Sequence, residues 1–587
     1  MTAATIGHAS KPKSKRASSL WAENLSSFWF LLPIIIIFFI LTVVPLAQSF
    51  FYSLTDYDGY SENFSFVAFS NYVAIFKDPS LLSALGFTLL YAFGTTLLVT
   101  CFAIPLAVTL NKAMWGRSFA RSLFFFLGVP AQAIIGLIWQ YIFSPLGSGV
   151  MNKVIAVFGI PNIPWLADDN WARFCVIFVA VWMQVGWHAT LYLAYLQTIP
   201  ADLYEQARVD GANSRQQFFH ITLPQLIPGI VVSMFLLMDR RTENLRSAVH
   251  LDRRWPRIRH QYAVPGHHPQ RYRPKSVRTG LGVVRMLHRR LHSRHRRADR
   301  HCQRRGKEVP MTPSQRELVR KIFRTIVVLG LALICAVPLY YVIVSSFKTS
   351  IDMIKNPLGL PEQWTLENYK EAFADGTIIR AFVNTLIVTV VAVLLQVLVG
   401  SMAAFGVVYK KSKFTAIVGG VLMVTFAIPV QATMLPLYRM ESETGLVDSL
   451  LGLIVLYMGS CVFCYFLIVG YMKSLPQELF EAAKIDGAGP WRIYSRIVLP
   501  LITPILTTVV VFQTMGTWND FLLPSVFLSS TDNQTVVLQV YNAVQQFSTN
   551  WPLFMTITVL ALVPVFIFFC FCQKWIVSGL VAGSVKG

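Results

Sequence analysis

Ten apolar runs punctuate the chain, each close to the roughly 20 residues that carry a helix across the hydrocarbon core of a bilayer. They are Phe28–Tyr52, Leu85–Leu110, Ser122–Phe143 and Phe174–Leu196, then, after a long polar interval, Ile322–Val344, Ala381–Val408, Ala416–Leu437, Leu450–Tyr471, Ile502–Leu523 and Leu553–Phe571. Mostly short polar connections join them, which predicts an all-α, polytopic integral membrane protein. A further run opens near Gln225 and stops at Met238, about fourteen residues in and too short to cross. Phe28–Tyr52 exceeds the apolar region of a signal peptide and lacks a small-residue cleavage site, so it reads as the first span.

Composition agrees: 54% of the 587 residues are hydrophobic and only 14% charged, too few charges for a soluble chain of this length. Basic loops face the cytoplasm. Lys11, Lys13, Lys15 and Arg16 precede the first span, Lys112, Arg117 and Arg121 follow the second, and Lys410, Lys411 and Lys413 hold the matching place later. Alternate loops carry Asp56, Asp58, Asp168, Asp169, Glu441, Glu443 and Asp448. The expectation is a bacterial inner-membrane protein with both termini cytoplasmic. Cys461, Cys464, Cys570 and Cys572 sit in apolar runs without neighbouring ligands and read as packing residues, not as a zinc site.

The formal charge of +22 points to nucleic acid until it is located. Residues 239–305 hold nineteen arginines and Lys275 against Asp239, Glu243, Asp252 and Asp299, and eight of the eleven histidines. Three readings compete: a basic linker touching lipid or nucleic acid, a regulatory insert, or a frame-shifted translation. The third is favoured. A one-base shift from Asp239 admits a spelling that restores an apolar fifth span, and the tract stops before Met311, which looks like a second start. The chain then reads as two adjacent genes joined, with no nucleic-acid partner.

An internal repeat carries the sharpest chemistry. Pro200–Pro228 and Pro476–Pro504 align without a gap at an offset of 276, identical at 11 of 29 positions. Each copy predicts a helix opening at Pro200 or Pro476, in the first turn where no donor is lost. Acidic Asp202, Glu205, Glu478 and Glu481 suit its positive N-terminal end, and Gly211 or Gly487 ends it in the left-handed conformation. A second amphipathic stretch, Phe218–Leu223 or Ile493–Leu499, leads through Pro224 or Pro500 into the next span. An interfacial helix on the inner leaflet accounts for the amphipathicity, but not for identical E-x-A-x-x-x-G spacing in both copies. A rigid knob that fits a partner's groove accounts for both.

The pattern E-A-A-x-x-x-G, then nine residues and I-x-L-P, resembles the loop by which permeases of ABC importers dock on their ATP-binding subunits. Glu481, Ala482, Ala483, Gly487, Ile497, Leu499 and Pro500 match it. The first copy matches through Glu205, Ala207, Gly211, Leu223 and Pro224, with Gln206 for one alanine. Asp210 and Asp486 accompany the glycines. Ser346–Tyr369, the Trp518–Phe521 W-N-x-F pattern and the Gln573–Gly587 tail are similar to carbohydrate-uptake permeases of the maltose and multiple-sugar type. This resemblance implies two pseudo-equivalent bundles of about six spans, the first incomplete. Residues 1–24 would be a cytoplasmic tail, 25–238 the first permease domain cut in its fifth span, 239–310 the basic segment, and 311–587 the complete second domain. It further implies an ATP-binding subunit dimer on the cytoplasmic face, an extracellular solute-binding (lipo)protein, and a sugar or oligosaccharide as solute, with glycerol phosphate as the alternative.

No phosphate-binding loop of the G-x-x-x-x-G-K-S/T form, catalytic triad or metal cluster is present, so no catalytic residue, cofactor or metal is expected and ATP hydrolysis is assigned to separate subunits. An ion-coupled secondary transporter would want acidic residues within its spans, and these have almost none. Sugars are gripped by aromatic faces and a few polar groups; Trp182, Gln184, Trp187, Gln431, Trp518 and Asn519 are placed on the solute path. His188, within the fourth span, reads equally as a functional group or as a donor to a backbone carbonyl.

Overall fold

The computed structural model describes residues 13–59, 61, 63–145, 149–239, 313–410, 412–425, 428–546 and 550–584. Its compact units are Met1–His250 with Leu329–Gly587, and Leu251–Val328. Of the second unit only 313–328 is described, the opening of helix Pro313–Ser345. The basic tract and the predicted breakpoint beyond Asp239 lie outside the described residues.

No strand occurs among the described residues, only an isolated bridge between Thr55 and Phe66. In chain order the elements used below are α1 (Ser26–Ser53), α2 (Ser70–Lys77), α3 (Pro79–Asn111), α4 (Arg117–Phe126), α5 (Gln132–Ile142), α6 (Asp169–Leu196), α7 (Ala201–Val209) and α8 (Leu223–Asp239). The later half supplies α9 (Glu317–Ser345), α10 (Thr377–Tyr409), α11 (Lys413–Thr425), α12 (Met434–Glu443), α13 (Leu450–Met472) and α14 (Gln477–Ile485). It ends with α15 (Thr503–Trp518), α16 (Leu522–Phe527), α17 (Val536–Gln546) and α18 (Trp551–Ser584). Among the described residues eight helices are long and apolar enough to cross a membrane, or nine with one bent pair counted.

Four readings of spans are corrected. The run read as too short to cross belongs to the helix Ser214–Met234, which is long and apolar enough to do so. Ser122–Phe143 is two helices, α4 and α5, separated around Gly128–Val129–Pro130. Ala416–Leu437 is likewise α11 and α12, parted at Pro429 by a 3₁₀ turn over Val430–Thr433. Proline lacks the donor a helix interior needs and pushes its predecessor to extended backbone, so both runs break despite continuous hydropathy. Ile502–Leu523 turns sharply where Pro490–Leu501 meets Thr503–Phe527 (77°), and opens again at Asn519–Phe521 before α16.

The two halves exchange their first spans. One apolar cluster joins α3, α5 and α6 to Leu339, Tyr341 and Val342 of α9 and to much of α18; the other joins Phe30, Leu31 and Ile34 of α1 to α10, α13 and α14. Phe30 meets Phe405 edge-on at 4.8 Å. Gly406 permits that approach, since a Cβ there would lie 3.1 Å from both Phe30 and Leu31. Reciprocally, Trp182 Nε1 donates to the Cys335 carbonyl of α9 at 3.1 Å, and Tyr141 stacks on Tyr341 at 5.9 Å. In lipid such packing gains dispersion rather than water release.

Buried polar side chains add links. Gln513 donates to Gln396 Oε1 (2.8 Å), and Gln396 to the Tyr457 carbonyl (2.7 Å), tying α15, α10 and α13. His188 is fully buried, its Nδ1 2.7 Å from the Ser233 hydroxyl, which also accepts from Tyr192 at 2.8 Å. One partner is thus a serine of α8, which links α6 to α8.

Candidate functional site

Both repeats fold into the same knob. Pro200 and Pro476 stand one residue earlier than predicted, as extended N-caps (ψ 134° and 132°), with α7 and α14 starting at the next residue. Gly211 (φ +81°) and Gly487 (φ +76°) take the left-handed conformation as expected. Around each, two bonds close the helix end. Gly211 N–H donates to Arg208 O and Ala212 N–H to Ala207 O (3.1 and 2.8 Å); Gly487 and Ala488 do the same to Lys484 and Ala483 (3.1 and 3.0 Å). This paired 5→2 and 6→1 closure explains why a glycine follows the repeat's alanine by four residues.

A π-helical turn follows at the same offset in each copy, Phe218–Thr222 and Tyr494–Val498. Leu223 and Leu499 reach back five residues, to Phe218 O and Tyr494 O, immediately before Pro224 and Pro500. The proline's missing donor favours the wider turn there. Glu205, Asp210, Glu481 and Asp486 are exposed. Among the described residues the most exposed large apolar side chains are Val209 (88%) and Ile485 (85%), again 276 apart. Each knob thus presents one nearly bare aliphatic side chain among three exposed carboxylates, Asp202, Glu205 and Asp210 in the first and Glu478, Glu481 and Asp486 in the second.

Their roots differ. In the second knob Phe480 and Ala483 are buried in a core cluster, Lys484 Nζ lies 4.3 Å over the Tyr409 ring, and Tyr494 shares a 2.8 Å hydrogen bond with Ser401. Trp491 stacks on Phe30 at 5.8 Å. In the first, α7 buries no residue; a 3.0 Å bond joins Tyr204 and Thr222, at the positions of Phe480 and Val498, and the half-buried Phe218 and Leu223 pack against the other cluster.

Of the predicted solute-path residues, the structure gathers two at the break between α4 and α5. Asn519 Nδ2 donates to Val129 O (3.1 Å) and to Met515 O (2.9 Å), so the break of one half is pinned to that of the other. Trp187 packs beneath it, its Cβ 3.6 Å from where a Gly128 Cβ would lie, with Gln184 buried nearby on α6. Trp518 precedes Asn519, its Nε1 buried without a partner. Trp182 is spent on Cys335. Gln431 lies instead at the seam with α1, where its neighbour Ala432 accepts from Ser49 Oγ at 2.7 Å; its own Nε2 is buried and unpaired.

Residue-by-residue reading missed the second repeat that these breaks reveal: Val129–Pro130–Ala131–Gln132 against Ile428–Pro429–Val430–Gln431. It also missed Asp520, which accepts from Tyr457 OH (2.8 Å) and Leu522 N (3.0 Å). Near the end of α12, Glu441 is 2% exposed and both its carboxylate oxygens lack hydrogen-bond partners; burial pushes its pKa up to about 7. Among the described residues no cluster of three His, Cys, Asp or Glu could hold a metal.

The sequence profile of the family described as "binding-protein-dependent transport system inner membrane component" matches residues 100–238 and 396–581. Among curated proteins, the chain is 36% identical over 271 residues to the "probable starch degradation products transport system permease protein AmyC" of Thermoanaerobacterium thermosulfurigenes, covering 46% of this chain and 98% of that one. It is 31% identical to the "diacetylchitobiose uptake system permease protein NgcG" of Streptomyces coelicolor (43% and 85% covered). It is 30% identical to the "melibiose/raffinose/stachyose import permease protein MelC" of Bacillus subtilis (46% and 98% covered).

Proposed function

The chain belongs to the binding-protein-dependent transport system inner membrane components, and from that premise we propose that it is the joined permease pair of an ATP-driven importer for a sugar or oligosaccharide. The observation that carries this reading is the duplicated knob. Two identical helix closures, 276 residues apart, each expose one nearly bare aliphatic side chain and three carboxylates to a partner. An ATP-binding subunit dimer, one subunit per knob, is the partner such a pair fits. Glu205, Ala207, Asp210, Gly211, Leu223 and Pro224 form one docking surface; Glu481, Ala482, Ala483, Asp486, Gly487, Leu499 and Pro500 form the other.

Basic loops place both knobs and both termini on the cytoplasmic side, and the solute arrives from outside on a solute-binding protein. Starch products, diacetylchitobiose and raffinose-type sugars in the relatives' names support a saccharide solute. Trp187, Trp518 and Gln184 border its path at the helix breaks, and Asn519 acts there as a clamp between halves. The family match ending at residue 238 supports reading 239–310 as a frame-shifted segment; sequencing the transcript tests that part alone. The function is tested by uptake of labelled sugars in cells carrying the chain with its ATP-binding subunits and binding protein. ATP-dependent entry of a saccharide is expected, and transport confined to amino acids or metal ions overturns the assignment.

A further inference from the structure

A cleft opens between the end of α1, the loop after it, and α12. Its volume is about 520 Å³, within the range of ligand pockets, and Gln48, Phe51, Tyr52, Phe64, Arg439 and Glu443 line it. It lies far from the knobs. The other end of α1 stacks on Trp491 through Phe30, and the 28 residues of α1 span about 42 Å at the helical rise of ~1.5 Å per residue.

The chemistry is specific. The Tyr52 and Tyr57 rings lie 4.5 Å apart, with Phe64 edge-on to Tyr57 at 5.2 Å, so a fixed aromatic platform forms one wall. Arg439 forms the other. Its Nη1 donates to Tyr52 OH (3.1 Å), its Nε to Glu443 Oε1 (2.8 Å), and its guanidinium carbon lies 5.9 Å from the Tyr57 ring centre. A pyranose has an apolar C–H face for an aromatic ring and hydroxyls that both donate and accept, matching a carboxylate beside a guanidinium. A lipid tail would leave that charged pair desolvated without compensation. The pair is also neutral as a unit, which favours an uncharged sugar over an anionic one.

We infer that this cleft is a saccharide-binding subsite between α1 and α12, taking an uncharged pyranose before it reaches the helix breaks. Tyr52 and Phe64 come from one half and Arg439 and Glu443 from the other, and Ser49 joins Ala432 beside it. Because α1 packs on the same apolar cluster as α12, both walls of the cleft belong to one bundle, and an occupied cleft ties the exchanged span to it. The inference rests on the importer reading for the identity of its ligand class.

The test uses the full chain in lipid nanodiscs, without ATP-binding subunits or binding protein. Raffinose, maltotriose and N,N′-diacetylchitobiose are titrated in turn and binding is read by saturation-transfer NMR. At least one should bind, and Tyr52→Ala and Arg439→Ala should each weaken it about tenfold, equivalent to about 1.4 kcal/mol. Glu443→Gln, a conservative change at an exposed position, should weaken it by a smaller factor and guards against misfolding. Unchanged affinity in all three variants, or a signal lost in Trp518→Ala instead, overturns the subsite while leaving the importer reading intact. No binding of any of the three to the native chain also overturns the subsite; sugar uptake in cells then decides separately whether the importer reading stands.

Discussion

The two knobs share a tip and differ at the root. At the tip, helix closure, left-handed glycine, π-helical turn and exposed aliphatic side chain recur at one offset. At the root, the second knob inserts Phe480 and Ala483 into a core cluster, whereas α7 of the first buries nothing, its knob being held by the Tyr204–Thr222 bond and the half-buried Phe218 and Leu223. On the docking reading, features that meet a common partner are held constant, and features that only anchor the knob to its own bundle are free to diverge. If the knobs dock as proposed, motion of the partner should pass more stiffly into the second half.

The largest expected effect tests the shared tip. Glu481→Lys and Gly487→Pro should cut uptake and substrate-stimulated ATP hydrolysis together, by on the order of 100-fold, because losing one side of a charge-paired contact costs several kcal/mol and a bulkier residue strains the left-handed turn. Membrane insertion should stay normal. Glu205→Lys and Gly211→Pro should act in the same direction, and full ATPase binding with normal uptake in all four would remove the docking role. The roots come next. Phe480→Ala should destabilise the second knob by about 3 kcal/mol, typical of an aromatic cavity, visible as faster hydrogen exchange over α14.

Glu441 sharpens the contrast between the halves through pH. Ten residues after Gln431, α12 carries this buried carboxyl; ten residues after Gln132, α5 carries Ile142. Burial raises the folded pKa from 4.5 to about 7, so the folded state binds the proton more tightly. Its stabilising contribution is complete below about pH 4.5 and fades as pH rises toward 7. Arg439 is engaged by Glu443 and Tyr52, and Asp448 by Ser529 and Ser530, so neither offsets the charge. Thermal melting from pH 5 to 8 should show this slope, and Glu441→Gln should flatten it. A native chain with no slope would put the carboxyl in contact with water. The smallest effect is Tyr204→Phe, which should cost about 1 kcal/mol, the worth of one hydrogen bond, and loosen α7 in hydrogen exchange without touching α14.

The knobs were the most legible part of the molecule because a repeat displays its own constraints. E-x-A-x-x-x-G located both glycines, and only the prolines fell one residue from their predicted place. Span existence was mostly legible from hydropathy, the helix Ser214–Met234 being the exception, because its polar first turns hid its length; span continuity was not. The runs around Pro130, Pro429 and Asn519 are apolar throughout, and hydropathy is blind to a missing donor. The solute-path residues were chosen by side-chain type, which cannot tell an unpaired indole such as Trp518 from Trp182, already committed to a carbonyl. Asn519 was singled out by type alone, and that gave no hint that its amide donates to two backbone carbonyls. The exchange of first spans left no local trace, because both α1 and α9 are apolar enough to pack on either bundle.

That exchange sets a schedule for biosynthesis. α1 leaves the ribosome early, yet its packing partner α10 begins at Thr377, 324 residues after Ser53. At translation rates of about 5–20 residues per second, the wait is roughly a quarter of a minute to a minute. Through that interval α1 would lack the partners it has in the finished fold, where Phe405 and Gly406 meet Phe30 and Leu31. A chaperone or insertase that shelters unassembled helices has its longest window here, and a stalled ribosome anywhere before residue 377 would leave the first half with its own entry helix unclaimed.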